Sequence, residues 1–372
     1  MNSLGLPLAL SLLLGLSAVS AETIDFYIGT YTKPGGSKGI QRGSLDLATG
    51  ALKLEGLAAE AKNPSFLAVH PNGKFLYAAV EGGGGAVGAF AIEKDGALRH
   101  LNDDSTKGAG NCHVFVDASG KNVLAANYGG GSIASLPIRA DGSVGPATGF
   151  VQHTGQSVNP KRQSAPHAHS IYANGDFVYA CDLGTDDVFV YRFDATKGTL
   201  VPNSPPSGKV PPGSGPRHLA FHPKGGFAYV NNEMTSAVTA FAHDAKKGTL
   251  TALQTLSTLP DSAADAAKNS TAEIFCHPSG RFLYVSNRGH DSIAVFAIGA
   301  DGKLTSVQHA PAKVKTPRGF ALSPDGNWLV AAGQASDSLA SHRIDPATGK
   351  LTPAAEVAGV GAPVCVVFAN PK

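Results

Sequence analysis

The sequence predicts an all-β chain wound into a closed ring of seven similar units, and three observations predict it. A Gly-x-Leu or Gly-x-Val step follows a polar turn seven times, at Gly50, Gly96, Gly142, Gly198, Gly248, Gly302 and Gly349, with spacings of 46, 46, 56, 50, 54 and 47 residues. A period near fifty with turn chemistry inside each unit marks a stacked or circular repeat. A second phrase, a glycine turn followed by an aromatic or aliphatic triplet, recurs out of phase with the first. Its copies are GKFLY at 73–77, GKNVL at 120–124, GDFVY at 175–179, GGFAY at 225–229, GRFLY at 280–284 and GNWLV at 326–330, six against seven. No long apolar stretch of 3.6-residue periodicity accompanies either phrase, so helix is expected to be scarce.

The unit around 216–254 shows the elements in order. Pro216 to His222 is a short apolar strand, HPKGG is a tight turn, and Phe227 to Asn232 is a second strand. Ala237 to Ala242 alternates as a third, DAKKG turns again, and Thr249 to Gln254 is the fourth. Four antiparallel strands per unit describe a β-propeller blade. The missing seventh copy of the second phrase is supplied by the ends of the chain. Ile24 to Tyr31 reads as a second strand without a first, Tyr27 lying fifty residues before Tyr77, and Pro363 to Ala369 reads as a first strand without a second. Pairing them closes the last blade with the N- and C-terminal strands and removes two open sheet edges.

Residues 1–21 are read separately, as an export signal preceding a single domain over 22–372. Leu4 to Val19 is almost wholly apolar and ends in Val19-Ser20-Ala21, a small-residue cleavage site, although Lys and Arg are absent before it. A periplasmic or secreted protein with no membrane attachment after cleavage is expected. The 42% hydrophobic content suffices for a core, and the 45 glycines and 24 prolines suit many short turns. A net charge of +2 without basic runs excludes nucleic acid as the main partner. The four cysteines fall in different units without CxxC spacing and read as buried thiols. A monomer is expected.

In an antiparallel pair, the start of the first strand and the end of the second share one edge. Arg217 and Glu233 lie eight residues either side of Gly225. They are therefore expected to meet on one face near the axis. The same construction brings Cys112 and His113 to Asn127 and Tyr128, His167 and His169 to Asp182, Glu273 to Asn287 and Arg288, and Arg318 to Gln334. The opposite edge carries turn residues, among them His70, His222 and His277.

These residues sit in longer motifs. YIGTYT at 27–32, NPSFL at 63–67, CHVFVD at 112–117, NYGGGS at 127–132, PHAH at 166–169, CDLGTD at 181–186, GPRHLAFHP at 215–223, NNEM at 231–234, SNRGHDSIAVF at 286–296 and PRGFALSPDG at 317–326 together resemble the seven-bladed propeller lactonase family. Its best-known members are bacterial 6-phosphogluconolactonases, and fungal carboxymuconate cycloisomerases are related. The resemblance implies an active site built from a PHAH histidine (His167 or His169), the GPRH arginine Arg217, Glu233 and Arg288. An export signal departs from what is expected of an enzyme of cytosolic phosphosugars.

Opening a lactone needs a water activated by a base, a stabilised oxyanion and a proton for the leaving oxygen. Glu233 suits the base and Arg217 the oxyanion. A histidine suits the proton donor, and the planar fork of Arg288 suits a carboxylate or phosphate. His113, Asn127, Tyr128, Asp182, His218, Glu273, Asn287, Arg318 and Gln334 are expected to complete a substrate-binding funnel. Two arginines make a poor metal cage, so no metal or cofactor is expected. The expected function is hydrolysis of a sugar lactone. A non-catalytic sugar-acid-binding propeller and a lactone-forming cycloisomerase are the alternatives.

Overall fold

Seven four-stranded antiparallel sheets, each consecutive in the chain except one, form the ring. The computed structural model describes residues 22–369 apart from 34, 83 and 263–265. The proposed signal segment, 1–21, lies outside the described residues. Blades 1 to 6 occupy residues 64–105, 111–152, 168–209, 216–257, 270–311 and 317–358. Blade 7 is the exception. Its strand order is Pro363–Phe368, Thr23–Thr30, Gly39–Asp46, Leu52–Glu60, with Phe26 opposite Phe368 and Tyr27 opposite Val367. The ends of the chain therefore close the ring as the unequal count of repeats predicts. The first strand of each blade touches the first strand of the next all the way round, so these strands line the axis.

The two repeated phrases prove to be halves of one joint between blades. The Gly of each Gly-x-Leu/Val step turns with φ between 67° and 86°, a conformation that costs glycine little. Space demands it too. A Cβ on Gly142, Gly248, Gly302 or Gly349 would lie 2.2, 2.3, 2.2 or 2.5 Å from the ring of Phe75, Phe177, Phe227 or Phe282 in the preceding blade. The tyrosines of the second phrase complete the joint. The hydroxyls of Tyr27, Tyr77, Tyr229 and Tyr284 donate to the carbonyls of Gly96, Gly142, Gly302 and Gly349 at 2.9–3.1 Å. In blade 6, Trp328 stands where most other copies of the phrase have Phe, its ring against Gly50, and its indole N–H donates to the Leu47 carbonyl at 3.0 Å. The turn histidines also join blades, His70, His222 and His277 reaching the carbonyls of Gly120, Gly280 and Gly326 at 2.8–2.9 Å.

The hydrophobic core follows the same logic. It consists of seven slabs, each lying between two neighbouring blades, such as Phe26, Ile28, Trp328 and Val330 between blades 6 and 7. Among the described residues, each core cluster draws on two blades. Cys112, Cys181 and Cys365 are buried, Cys276 is half-buried, and all four are unbridged.

One irregularity recurs at the axis. The inner strands slip register at Ser65, Cys112, His169, Arg217, Arg318 and Val364, each skipped by the ladder pairs on either side. A bulge leaves its extra residue unpaired and turns its side chain out of the regular alternation. Here the bulges collect these side chains toward one end of the channel. Ser65, Cys112, Arg217, Arg318 and Val364 line the same central cavity.

Candidate active site

Glu233 stands at the centre of the polar funnel, 7% exposed. Its Oε2 accepts from Arg217 Nε at 3.1 Å and lies 3.2 Å from Arg288 Nη2, while its Oε1 accepts from Arg162 Nη2 at 2.9 Å. His169 Nε2 approaches Oε2 to 3.7 Å. Burial opposes the charge on this carboxyl, but Arg288, Arg217 and Arg162 outweigh it and hold the pKa down at about 2. Arg217 is 3% exposed and is fixed further by the Ala272 carbonyl and by His218 Nε2. Arg288 donates to the Thr271 carbonyl at 2.9 Å, and its buried Nε has no partner among the described residues. Burial beside Arg217 lowers the Arg288 pKa to about 10, which leaves it charged at neutral pH.

The predicted histidines divide by depth. His167 is half-buried at the rim, stacked on Tyr128 at 4.7 Å, and its Nδ1–H donates to the Tyr128 carbonyl at 3.0 Å, which leaves Nε2 as a free acceptor. His169 is buried, and burial together with Arg217 keeps it neutral. Beneath it, Phe66, His113 and His218 pack as rings 4.1–5.6 Å apart and form the floor of the funnel. His218 Nε2 accepts from Arg217, so its Nδ1–H donates to Glu273 Oε1 at 2.7 Å.

The His218–Glu273 contact has the distance of an ion pair, yet burial favours the neutral form of each partner. It pushes Glu273 up to about 8 and His218 well below its usual range. In the unfolded chain this carboxyl ionises near its ordinary value of about 4.3. The native state therefore loses stability as pH rises from there to about 8. Glu273→Gln keeps the acceptor and removes the titration. Its melting temperature relative to wild type should climb by a few degrees between pH 5 and pH 8.5 in calorimetry; a pH-independent difference would show an ionised Glu273.

Several predicted funnel residues have their polar atoms committed elsewhere. Asn127 accepts from Thr106 at 2.7 Å and donates to Ser132 at 3.1 Å. Asn287 is held in the same way by Thr258 and Ser292. Asp182 binds His153 Nδ1 at 2.7 Å and the backbone N–H groups of His167 and Gly184, so it shapes the PHAH segment and does not face the funnel. His113 is wholly buried in the floor. The Gln334 side chain makes no hydrogen bond among the described residues, its backbone N–H donating to the Thr316 carbonyl. Arg318 lies over the ring of Tyr31 at 5.3 Å and lines the central cavity.

Sequence reading missed Arg162, Tyr31 and Glu81. Arg162 rides on the segment between blades 2 and 3, where His153–Asp182 and Ser157–Asp186 pin it down; its Nη2 bridges Glu233 and the Tyr128 hydroxyl. The 56-residue spacing from Gly142 to Gly198, the longest of the six, is the trace of that insertion. Glu81 accepts from the Tyr31 hydroxyl at 2.8 Å and lines the central cavity with Ser65. Both Ser65 and Glu81 lie eight residues from Gly73, so the construction used on the other blades would have found them.

A ring of seven blades that gathers three guanidinium groups around one carboxylate, with neutral histidines beside it, has the makings of a propeller-type lactone hydrolase. The family described as lactonase, 7-bladed beta-propeller, matches residues 25–368, and the chain belongs to it. It is similar to the 6-phosphogluconolactonase of Bacillus subtilis, 37% identical over 92% of this chain and 97% of that protein. A 6-phosphogluconolactonase of Formosa agariphila is 32% identical over 87% of this chain and 94% of its own. Among solved structures, the periplasmic gluconolactonase of Pseudomonas aeruginosa superposes with a TM-score of 0.86, 34% identical, covering 93% of this chain and 99% of that one. The chain is thus an enzyme of the lactonase class.

Proposed function

We propose that this lactonase is exported and hydrolyses gluconolactone or its 6-phosphate to the aldonic acid. The observation that carries the reading is the clamp of Arg162, Arg217 and Arg288 on the buried Glu233. Clamped in this way, Glu233 is a weak proton acceptor. The phosphate of the phosphorylated lactone, or the ester carbonyl and ring hydroxyls of the uncharged one, draws Arg162 and Arg288 to itself, and Glu233 recovers basicity when the lactone is in place. It then takes a proton from the attacking water while Arg217 stabilises the oxyanion. Glu233 returns that proton to the leaving ring oxygen as the tetrahedral intermediate collapses, while His167, its Nδ1–H tied to the Tyr128 carbonyl, accepts a hydrogen bond from a substrate hydroxyl at its free Nε2. Export is supported by the apolar run before residue 22 and by the periplasmic relative.

A panel of lactones followed by pH-stat, with spontaneous opening subtracted, tests the reading. The phosphorylated and unphosphorylated gluconolactones should open faster than unrelated lactones. Arg162→Ala should raise KM for the phosphorylated lactone by about tenfold, the scale of one charged hydrogen bond. Failure to turn over any lactone, with a sugar acid still bound, would reduce the funnel to a binding site.

A further inference from the structure

The floor formed by Phe66, His113, His218 and Glu273 divides the axial channel into two compartments of opposite character. Above it lie the arginines. Below it is a cavity of about 490 Å³ walled by the outer halves of the inner strands. Six blades each contribute an aromatic ring to that wall: Phe66, Phe115, Tyr172, Phe221, Phe275 and Phe320. All but Phe320 retain some exposure although they belong to the axial strands, and Phe275 remains 36% exposed. Blade 7 adds Val367. A chamber of this size and lining is a poor home for water, which needs two to four polar partners. It has the dimensions of a small-molecule site.

Besides the Tyr172 hydroxyl and the thiols of Cys276 and Cys365, the polar side chains of its lining are His113 and Glu273, which belong to its roof. Glu273 lines both compartments, and its Oε1 is taken by His218 and by the Ile274 N–H, while Oε2 makes no hydrogen bond among the described residues. His113 accepts from the Ile171 N–H through Nδ1 at 3.4 Å, so its proton is on Nε2, which is buried without a partner. A buried donor left unpaired costs free energy that an incoming acceptor returns. Neither group brings a charge at neutral pH, because burial keeps Glu273 protonated and His113 unprotonated.

We propose that the lower chamber is a second binding site, separate from the lactone funnel, for a small uncharged, mainly apolar molecule carrying one hydrogen-bond-accepting oxygen. The rings and aliphatic side chains take the body of the ligand, and the roof at His113 and Glu273 takes its oxygen. Charged ligands are excluded because the chamber holds no counter-charge for them.

The test uses the neutral fluorescent reporter N-phenyl-1-naphthylamine on the folded protein, with competition by 2-acetylnaphthalene and by its hydrocarbon counterpart 2-ethylnaphthalene. The reporter should brighten with saturation, both competitors should displace it, and the ketone should do so roughly threefold to tenfold more tightly, the scale of one neutral hydrogen bond. His113→Phe, which keeps the ring against Phe66, should erase the advantage of the ketone. Val367→Trp, which fills the chamber, should abolish reporter binding; melting curves show whether this variant is folded, and if it is not, the ketone comparison in His113→Phe decides. Gluconate should not compete. No saturable brightening, displacement by gluconate, or equal binding of ketone and hydrocarbon by the wild type would each overturn the proposal.

Discussion

Glu233→Gln is expected to lower kcat by ~10²–10⁴, the usual contribution of a general base, while a product-like sugar acid still binds. The amide preserves the shape of the side chain and relieves the repulsion between carboxylate and acid. Arg217→Lys should also be damaging, because an ammonium cannot give one donor to Glu233 and a second to the Ala272 carbonyl from a planar group. The clamped carboxyl adds a signature in pH. With Glu233 near 2 in the free enzyme, its protonation leaves kcat/KM untouched at ordinary acidic pH. In the complex the arginines are shared with substrate, so the acid limb of kcat should lie higher than that of kcat/KM. If Glu233 and Arg217 are instead a structural strut, both substitutions would lower the melting temperature while activity per folded molecule stayed near wild type. Measuring kcat and melting temperature on the same preparations separates the two outcomes.

The other large effect concerns the seam. Removing residues 1–32 should abolish cooperative folding, whereas removing 1–21 should leave it intact. The longer deletion takes out Phe26 and Ile28 from the slab between blades 6 and 7, and Tyr27 from the slab between blades 7 and 1. Each fully buried side chain of this size contributes about 1.5–3 kcal/mol. The total rivals the 5–15 kcal/mol that typically separates a folded domain from its unfolded chain. It also strips the ladder partner from Pro363–Phe368. An undiminished thermal transition in the longer deletion would sink the closure of the ring by the chain ends.

The ring was legible in the sequence because its repeats carry geometry. The sequence shows the two phrases recurring out of phase, without showing what sets that phase. In the structure it is the distance from a ring such as Phe227 to the glycine that must admit it, Gly302, one blade further on. The funnel was legible in part. Symmetry about a turn gives the height of a residue in its blade, and it brought Arg217 and Glu233 together. It does not say where an amide spends its hydrogen bonds, so Asn127 and Asn287 were credited to the funnel while their side chains tie down Thr106 and Thr258. Nor does it foresee a bulge, which turns Arg217 to the axis and leaves the neighbouring His218 in the floor. Arg162 escaped because it belongs to no strand, and its place depends on contacts such as Ser157–Asp186 that join distant parts of the chain.

The antiparallel seam of blade 7 has a mechanical consequence. Phe26 faces Phe368 and Thr30 faces Pro363, so both chain ends leave the seam on the same side. A pull applied between the termini loads these pairs one after another, as a zipper, instead of sharing the force across all of them at once. The hydrogen bond from the Ala369 N–H to the Asp25 carbonyl parts first and the Phe26–Phe368 pair next, and the tear then runs inward past Cys365 toward Val364, which lines the central cavity. Force on the ends therefore opens the ring along its own axis and reaches the funnel before it unravels any of the six blades built from continuous chain.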